Sequence, residues 1–305
     1  MMPVAVMEPF HSLFYAPQFV ALHGGHFAAE GLDVTVTTAG GGRTTTAALF
    51  DGTAKISLGG IMRSLGVADT GGGFLPHFAE VNSRNGFFLV SREPRPGFRW
   101  SDLAGKTVIS FAEAPTPWQC MLTVLRREGV DPKSVTIKRD LPVADAVAAF
   151  RAGRGDFLEQ AQPTIEELLV EGAAHLVASM GEATGPVPFS SYMATPQTLR
   201  RDEDLVLRFT RGLYAAQRFM ASHDAKAIAA VIAPAFPDIA PDMRERVVAR
   251  YLRQGTWARD PICRRPGYDY LHKILLDGGF ITKPQRYEDL IDTTIAERVV
   301  KENAR

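Results

Sequence analysis

From Met2 to Tyr192 the chain alternates short apolar runs with helix-length amphipathic segments, and after Tyr192 the apolar runs stop. No other feature limits the fold as much. A strand followed by a helical connection returns beside and parallel to its predecessor, so the first two thirds predict α/β units on mostly parallel sheets. "PVAVM" reads as a buried strand, and Leu13 to His23 as a helix stopped by Gly24 and Gly25. "GLDVTVTT", "DGTAKISLGG" and "HFAEVNS" supply further strands, with "AGGGRTTTAALF" a glycine loop opening a helix. A second unit repeats the scheme. Its strands are "NGFFLVSR", "GKTVISF", "SVTIKRD" and "DFLEQ", its helices "TPWQCMLTVLRREGV" and "PVADAVAAFRAGRG", and "TIEELLVEG" and "HLVASM" complete it. The last third holds amphipathic helices divided by Pro and Gly, too short for a core of their own and predicted to pack back on an α/β unit.

With 305 residues, 46% hydrophobic and 22% charged, the chain can bury a core of two-domain size. Lys plus Arg number 34 and Asp plus Glu 34, so no net field recommends nucleic acid as a partner. No stretch approaches the ~18 consecutive apolar residues of a membrane span, so no direct membrane insertion is expected. The start "MMPVAVMEPF" has no basic leader. The expected location is periplasmic if an upstream signal peptide was removed, and cytoplasmic otherwise. Cys120 and Cys263 are too few for a disulfide framework or a Cys-based zinc site.

The stretch "PFHSLFYAP" sets Phe10, His11, Phe14 and Tyr15 just behind a strand, where small polar residues are the rule. "APTPWQC" parallels it with Thr116 and Trp118. In open α/β sheets ligands collect at the carboxyl ends of strands. Glu8 precedes one such end, and Gly41, Arg43 and Thr44 of the glycine loop, Gly59 of "SLGG", Asn82 of "EVNS" and Glu159 of "EQAQ" sit at others. Tyr192, where the helical tail begins, completes the candidate binding residues. A glycine loop at a helix N-terminus suits an anion or a polar ligand edge, and equally a Thr-capped turn. It lacks the P-loop and dinucleotide spacings. His23, His26 and Asp33 find no further ligand at metal-binding spacing and read as a solvated helix end. No G-x-S-x-G occurs and neither cysteine has an evident His partner, so no catalytic residue, metal or cofactor is assigned.

Taken in order, these segments resemble ABC-importer solute-binding proteins of the nitrate, sulfonate, taurine and thiamin-pyrimidine-precursor group. "YAPQFVALHGGHFAAEGLDVTV" is similar to the family's opening, with its G-x-F-x-x-E-G-L-x-V stretch at Gly25 to Val34. "LFDGTAKISLGG" resembles L-x-x-G-x-x-D-x-x-x-x-G, with Lys55 where an acid is usual. "FFLVSREPRPGFRWSDLAGKTVIS", "FRAGRGDFLEQAQPTIEEL" and "DGGFITKPQRYEDLID" resemble its crossover, hinge and final-helix passages. The resemblance covers nearly the whole chain.

It implies a type II periplasmic-binding-protein fold of two α/β lobes, closing on a small molecule and partnered by an ABC permease. The first lobe would be residues 1–86 plus 190–305, including a helical tail packed on it, and the second 87–189. Phe10, His11, Phe14 and Tyr15 would then line the first lobe's side of a cleft, with Trp118 facing them. Those rings favour a flat heteroaromatic, pyrimidine-like solute, and Arg43 could hold an acidic group on it. One branch of the superfamily is enzymatic, with a lysine-held pyridoxal phosphate, a sacrificial histidine and a cysteine-rich loop. Here "ISLGGIMRSL" has neither Lys nor His, and "PVPFSSYMAT" has no Cys. The expectation is a non-catalytic receptor, the alternative a cytoplasmic enzyme or ligand sensor on the same fold.

Overall fold

A computed structural model describes residues 1–40 and 42–303, apart from the side chains of 42–44. Its strands gather into two five-stranded sheets. β1 (Met2–Glu8), β2 (Leu32–Thr38), β3 (Ile56–Gly59) and β4 (His77–Asn82) open the first. β5 (Phe88–Ser91), β6 (Thr107–Ile109), β7 (Thr136–Lys138), β8 (Phe157–Gln160) and β9 (His175–Ser179) form the second, in the order β7-β6-β8-β5-β9. β10 (Ser190–Met193) then returns to the first, whose order is β2-β1-β3-β10-β4.

β1 pairs parallel with β2 and β3, and β6 with β7 and β8. Each sheet also contains one reversed strand: β10 runs antiparallel to β3 and β4, and β5 to β8 and β9. These are the strands the chain enters on crossing from the other sheet. A chain that leaves β4 at its carboxyl end and meets the second sheet after a short connection must run back along it. The carboxyl ends of the parallel strands in both sheets therefore face one another across the crossing.

The inner strands β3, β10, β5 and β8, and the edge strand β4, are buried along their whole length, as expected where helices cover both faces. One hydrophobic cluster runs through both sheets. In the first, the His77 ring lies between the hydroxyls of Ser64 and Ser191, 2.7 Å from each. Burial pushes its pKa down to about 3, so the ring stays neutral and donates to one hydroxyl while accepting from the other. The predicted first helix begins as a 3-10 turn at Leu13–Tyr15 and continues as Ala16–His23. Gly25, at φ 75°, ends it in the left-handed region that glycine enters without strain.

After β10 the chain is helical, and it packs on the first sheet's helices. The helix Glu203–Ser222 lies against Ala16–His23 and His26–Ala29, with Phe209 stacked on Phe27 at 4.6 Å. The tail also reaches the second sheet's unit, which the sequence did not foretell. From the helix Pro241–Gln254, Arg250 pairs with Glu166, and the Tyr251 hydroxyl accepts the Gln162 N–H at 3.3 Å. Gln254 donates to the Asn85 carbonyl at 2.8 Å and accepts from Ser179 at 2.6 Å. Among the described residues no helix is long and apolar enough to cross a membrane.

The Arg250–Glu166 pair is nearly sealed, with side chains 16% and 6% exposed. Removing one partner of such a pair strands a buried charge, at a cost of about 3–5 kcal/mol. Arg250→Met is therefore expected to lower stability by about that much in urea unfolding. Adding Glu166→Leu should recover most of the loss, which a surface pair would not show.

Candidate functional site

The facing strand ends enclose a cavity walled by both sheets. The first contributes Phe10, Phe14 and Tyr15 from the connection after β1, Gly60, Met62 and Arg63 after β3, and Phe189 and Ser190 at the return into β10. The second contributes Phe87 before β5, Phe111 and Ala114 after β6, and Thr116 and Pro117 from the start of the helix Thr116–Arg127. The rings form a continuous chain across the divide. Phe10 stacks on Tyr15 at 5.3 Å and meets the edge of Phe111 at 6.4 Å, and Phe111 lies 5.1 Å from Phe87. The cavity they leave is only ≈ 30 Å³, about the volume of one water, whereas small-molecule sites usually run to several hundred. As it stands, the space between the two walls is too small for a ring-sized solute. Larger surface hollows, of ≈ 810 Å³ over Glu30 and Arg211 and ≈ 720 Å³ over Phe50 and Lys55, draw nothing from the second sheet. We place the site at the small cavity because two independent walls and the strand ends converge there.

Four of the predicted residues, Phe10, Phe14, Tyr15 and Thr116, line the cavity directly. Several others support it from behind. Glu8 is buried and fully engaged, accepting from His11 Nδ1 at 2.8 Å, Gln18 at 2.7 Å and Thr38 at 3.0 Å. His11 points away from the rings. Its Nε2 lies 2.7 Å from the Ala235 carbonyl, so both ring nitrogens face acceptors, and the Glu8 hydrogen bond raises its pKa. The Asn82 amide and the Trp257 indole both donate to the Phe14 carbonyl, at 2.7 and 2.9 Å, and so hold the ring-bearing turn. Tyr192 is sealed in the first sheet with its hydroxyl donating to Gln18 at 3.0 Å. Gly59 makes room for Arg63, because a Cβ there would meet the arginine Cδ at 3.0 Å.

Two predicted residues lie elsewhere. Trp118 does not line the cavity: it is half-buried beneath the Arg139 guanidinium, 3.9 Å from its ring. A helix turns about 100° per residue, so with Thr116 toward the cavity, Trp118 two positions on points to the opposite side. Glu159 is buried in β8 and accepts from Ser110, while its other carboxylate oxygen has no partner among the described residues. Burial pushes its pKa up to about 7. Gly41 lies outside the described residues, as do the side chains of Arg43 and Thr44.

Sequence reasoning missed Arg63, Phe111, Phe189 and Trp257. Among the described residues Arg63 is the one cation on the lining. Its Nε is buried without a hydrogen-bond partner, and its neighbour Tyr15 is a phenol that burial keeps neutral. The available signal was its place just after "SLGG", at the end of a strand. Burial holds the Cys120 thiol up at about 12 and pushes the Cys263 thiol well above its ordinary value, so neither offers a thiolate. Among the described residues no group of three His, Cys, Asp or Glu side chains could hold a metal ion.

Residues 14–227 match the family described as NMT1/THI5 like. YtlA of Bacillus subtilis (strain 168), named as an inferred binding protein, is 34% identical over 98% of this chain and 90% of its own length. Among solved structures, the alkanesulfonate-binding protein SsuA from Xanthomonas axonopodis pv. citri bound to MOPS superposes with a TM-score of 0.72 at 17% identity, covering 96% of this chain and 99% of that one. The periplasmic aliphatic sulphonate binding protein SsuA from Escherichia coli gives 0.75 at 15% identity, over 94% and 96%. The desulfurization enzyme DSZB gives 0.66 at 16% identity, over 99% and 100%. At such identities the solved structures show the shared fold alone.

A carboxyl whose pKa rises from 4.5 to about 7 on folding binds more protons folded than unfolded between those values, so its contribution to stability falls as pH rises through that window. Glu159→Gln should remove this slope, at most about 1.4 kcal/mol per pH unit, and be more stable relative to wild type at pH 7 than at pH 4.5. Urea midpoints at both pH values measure the difference. Trp118→Ala, by contrast, should cost only about 0.5–1 kcal/mol of exposed cation–π contact, plus some apolar burial, and leave solute affinity unchanged by calorimetry.

Proposed function

We propose, from the premise that this chain belongs to the NMT1/THI5-like family, that it is the solute-binding protein of an ABC importer and closes on a small planar, heteroaromatic solute. The observation that carries this reading is the shared cavity: its rings come from both sheets, so whatever occupies it controls how the two walls sit. Closure around a bound solute is the signal a permease can read. Lobes of residues 1–86 with 190–305 and of 87–189 are in keeping with the chain's two passages between the sheets. The sulfonate-binding names of the SsuA proteins support the receptor role rather than the ring preference, which rests on the lining. Delivery to a permease would place the protein on the outer side of the membrane. Turnover of the solute is not part of the reading.

A solute that binds the folded state alone stabilises it by about 2.7 kcal/mol at 100 times its Kd. A thermal-shift panel of pyrimidines, pyridines, aromatic acids and sulfonates should therefore yield at least one strong stabiliser. Mass spectrometry after long incubation should recover that solute unchanged. A stoichiometric product would instead favour an enzyme on this fold.

A further inference from the structure

We infer that Arg63 is the anion anchor of this cleft, and that the solute is a planar monoanion whose carboxylate or sulfonate group docks on its guanidinium. The inference deepens the solute-binding reading and rests on it. Other buried arginines in the protein are satisfied by the protein itself. Arg244 donates to three carbonyls, of Ala229, Phe236 and Ile239, and Arg250 pairs with Glu166. Arg63 has no such arrangement, since its Nε is buried without a partner. Arg63 is only partly buried, but a sealed donor left without a partner is costly, and a protein keeps one where something else completes it.

The surroundings specify what that something is. Among the described residues no Asp or Glu lines the cavity, and no Lys or His accompanies Arg63 there. Glu8, at the end of β1, is already engaged by His11, Gln18 and Thr38. One described cation in an aromatic enclosure matches one negative charge. The guanidinium fork fits two oxygens of a carboxylate or sulfonate. Tyr15 neighbours Arg63 and shares a hydrogen bond with Ser190, so this pair of hydroxyls stands beside the head group. The rings of Phe10, Phe14, Phe87, Phe111 and Phe189 would then hold the flat remainder.

The test uses matched probes: nicotinate against nicotinamide, benzenesulfonate against benzenesulfonamide, and phenyl phosphate as a dianion, by calorimetry on wild type and Arg63→Met. Wild type should prefer at least one monoanion over its neutral partner by about 10- to 150-fold, with the better pair separating carboxylate from sulfonate. It should bind phenyl phosphate more weakly than that monoanion at pH 8. Arg63→Met should erase the preference while leaving the neutral probe's affinity in place. Without any probe the variant should melt at least as high as wild type, because it no longer buries an unpartnered donor. Arg63→Lys, which keeps charge and loses the fork, should fall between. Equal binding of neutral and anionic probes overturns the anchor while leaving the solute-binding reading intact. Failure of wild type to bind any of the five overturns the inferred solute class. A probe-free melting drop in Arg63→Met with the preference retained makes Arg63 a structural residue and overturns the assignment.

Discussion

The crossing between β4 and β5 is the constraint on which the rest of the molecule depends. At Gly86 the backbone passes so close to the Phe14 ring that a Cβ would lie 2.2 Å from it. The same Phe14 is held at its carbonyl by Asn82, at the end of β4, and by Trp257 in the tail. One short contact therefore joins the first connection, the crossing and the helical tail. It also sets where the ring-bearing turn stands relative to the second sheet, and hence the shape of the cavity. An alanine at Gly86 has no way to relieve the overlap except by moving the ring or the crossing.

Charge is distributed around this point with a clear division of labour. Glu8, at the end of β1, is spent on structure. Its three donors pin the first connection to the neighbouring strand and helix, and His11 passes the link on to Ala235. The tail's Arg250 and Arg244 are likewise consumed, by a carboxylate and by helix-end carbonyls. Among the described residues Arg63 alone faces the cavity with an unpartnered donor, and Gly59 leaves space for its shaft. The support is rigid and saturated, while the recognition surface is left one interaction short.

Closure by aromatic contact has an energetic consequence. Phe10, Tyr15, Phe111 and Phe87 touch one another across the two walls, so on the proposed closure the empty protein would gain apolar contact. A solute must replace those contacts with its own. Its apparent affinity therefore reflects the difference between ring–ring and ring–solute packing and the charge it brings to Arg63, rather than the total area it buries.

The local pattern of the sequence was enough for the strands and helices, because apolar period and turn residues act over a few positions. The two-unit order and the convergence of strand ends followed from it, and so did Phe10, Phe14, Tyr15 and Thr116 as residues at those ends. What the pattern could not supply was the direction of each side chain once an element had packed. Trp118 reads as exposed above a sheet, but its helix turns it away toward Arg139. Glu8, His11 and Tyr192 sit at the right ends and are drawn inward by partners far away in the chain, Gln18, Ala235 and Thr38 among them. Arg63 shows the limit most clearly. In the sequence it is one arginine among many on an amphipathic helix. Only the assembled fold brings Phe189 and Phe111 to the same cavity wall as Arg63 and leaves its Nε buried without a partner, because burial and pairing are properties of the assembled fold and not of any local stretch.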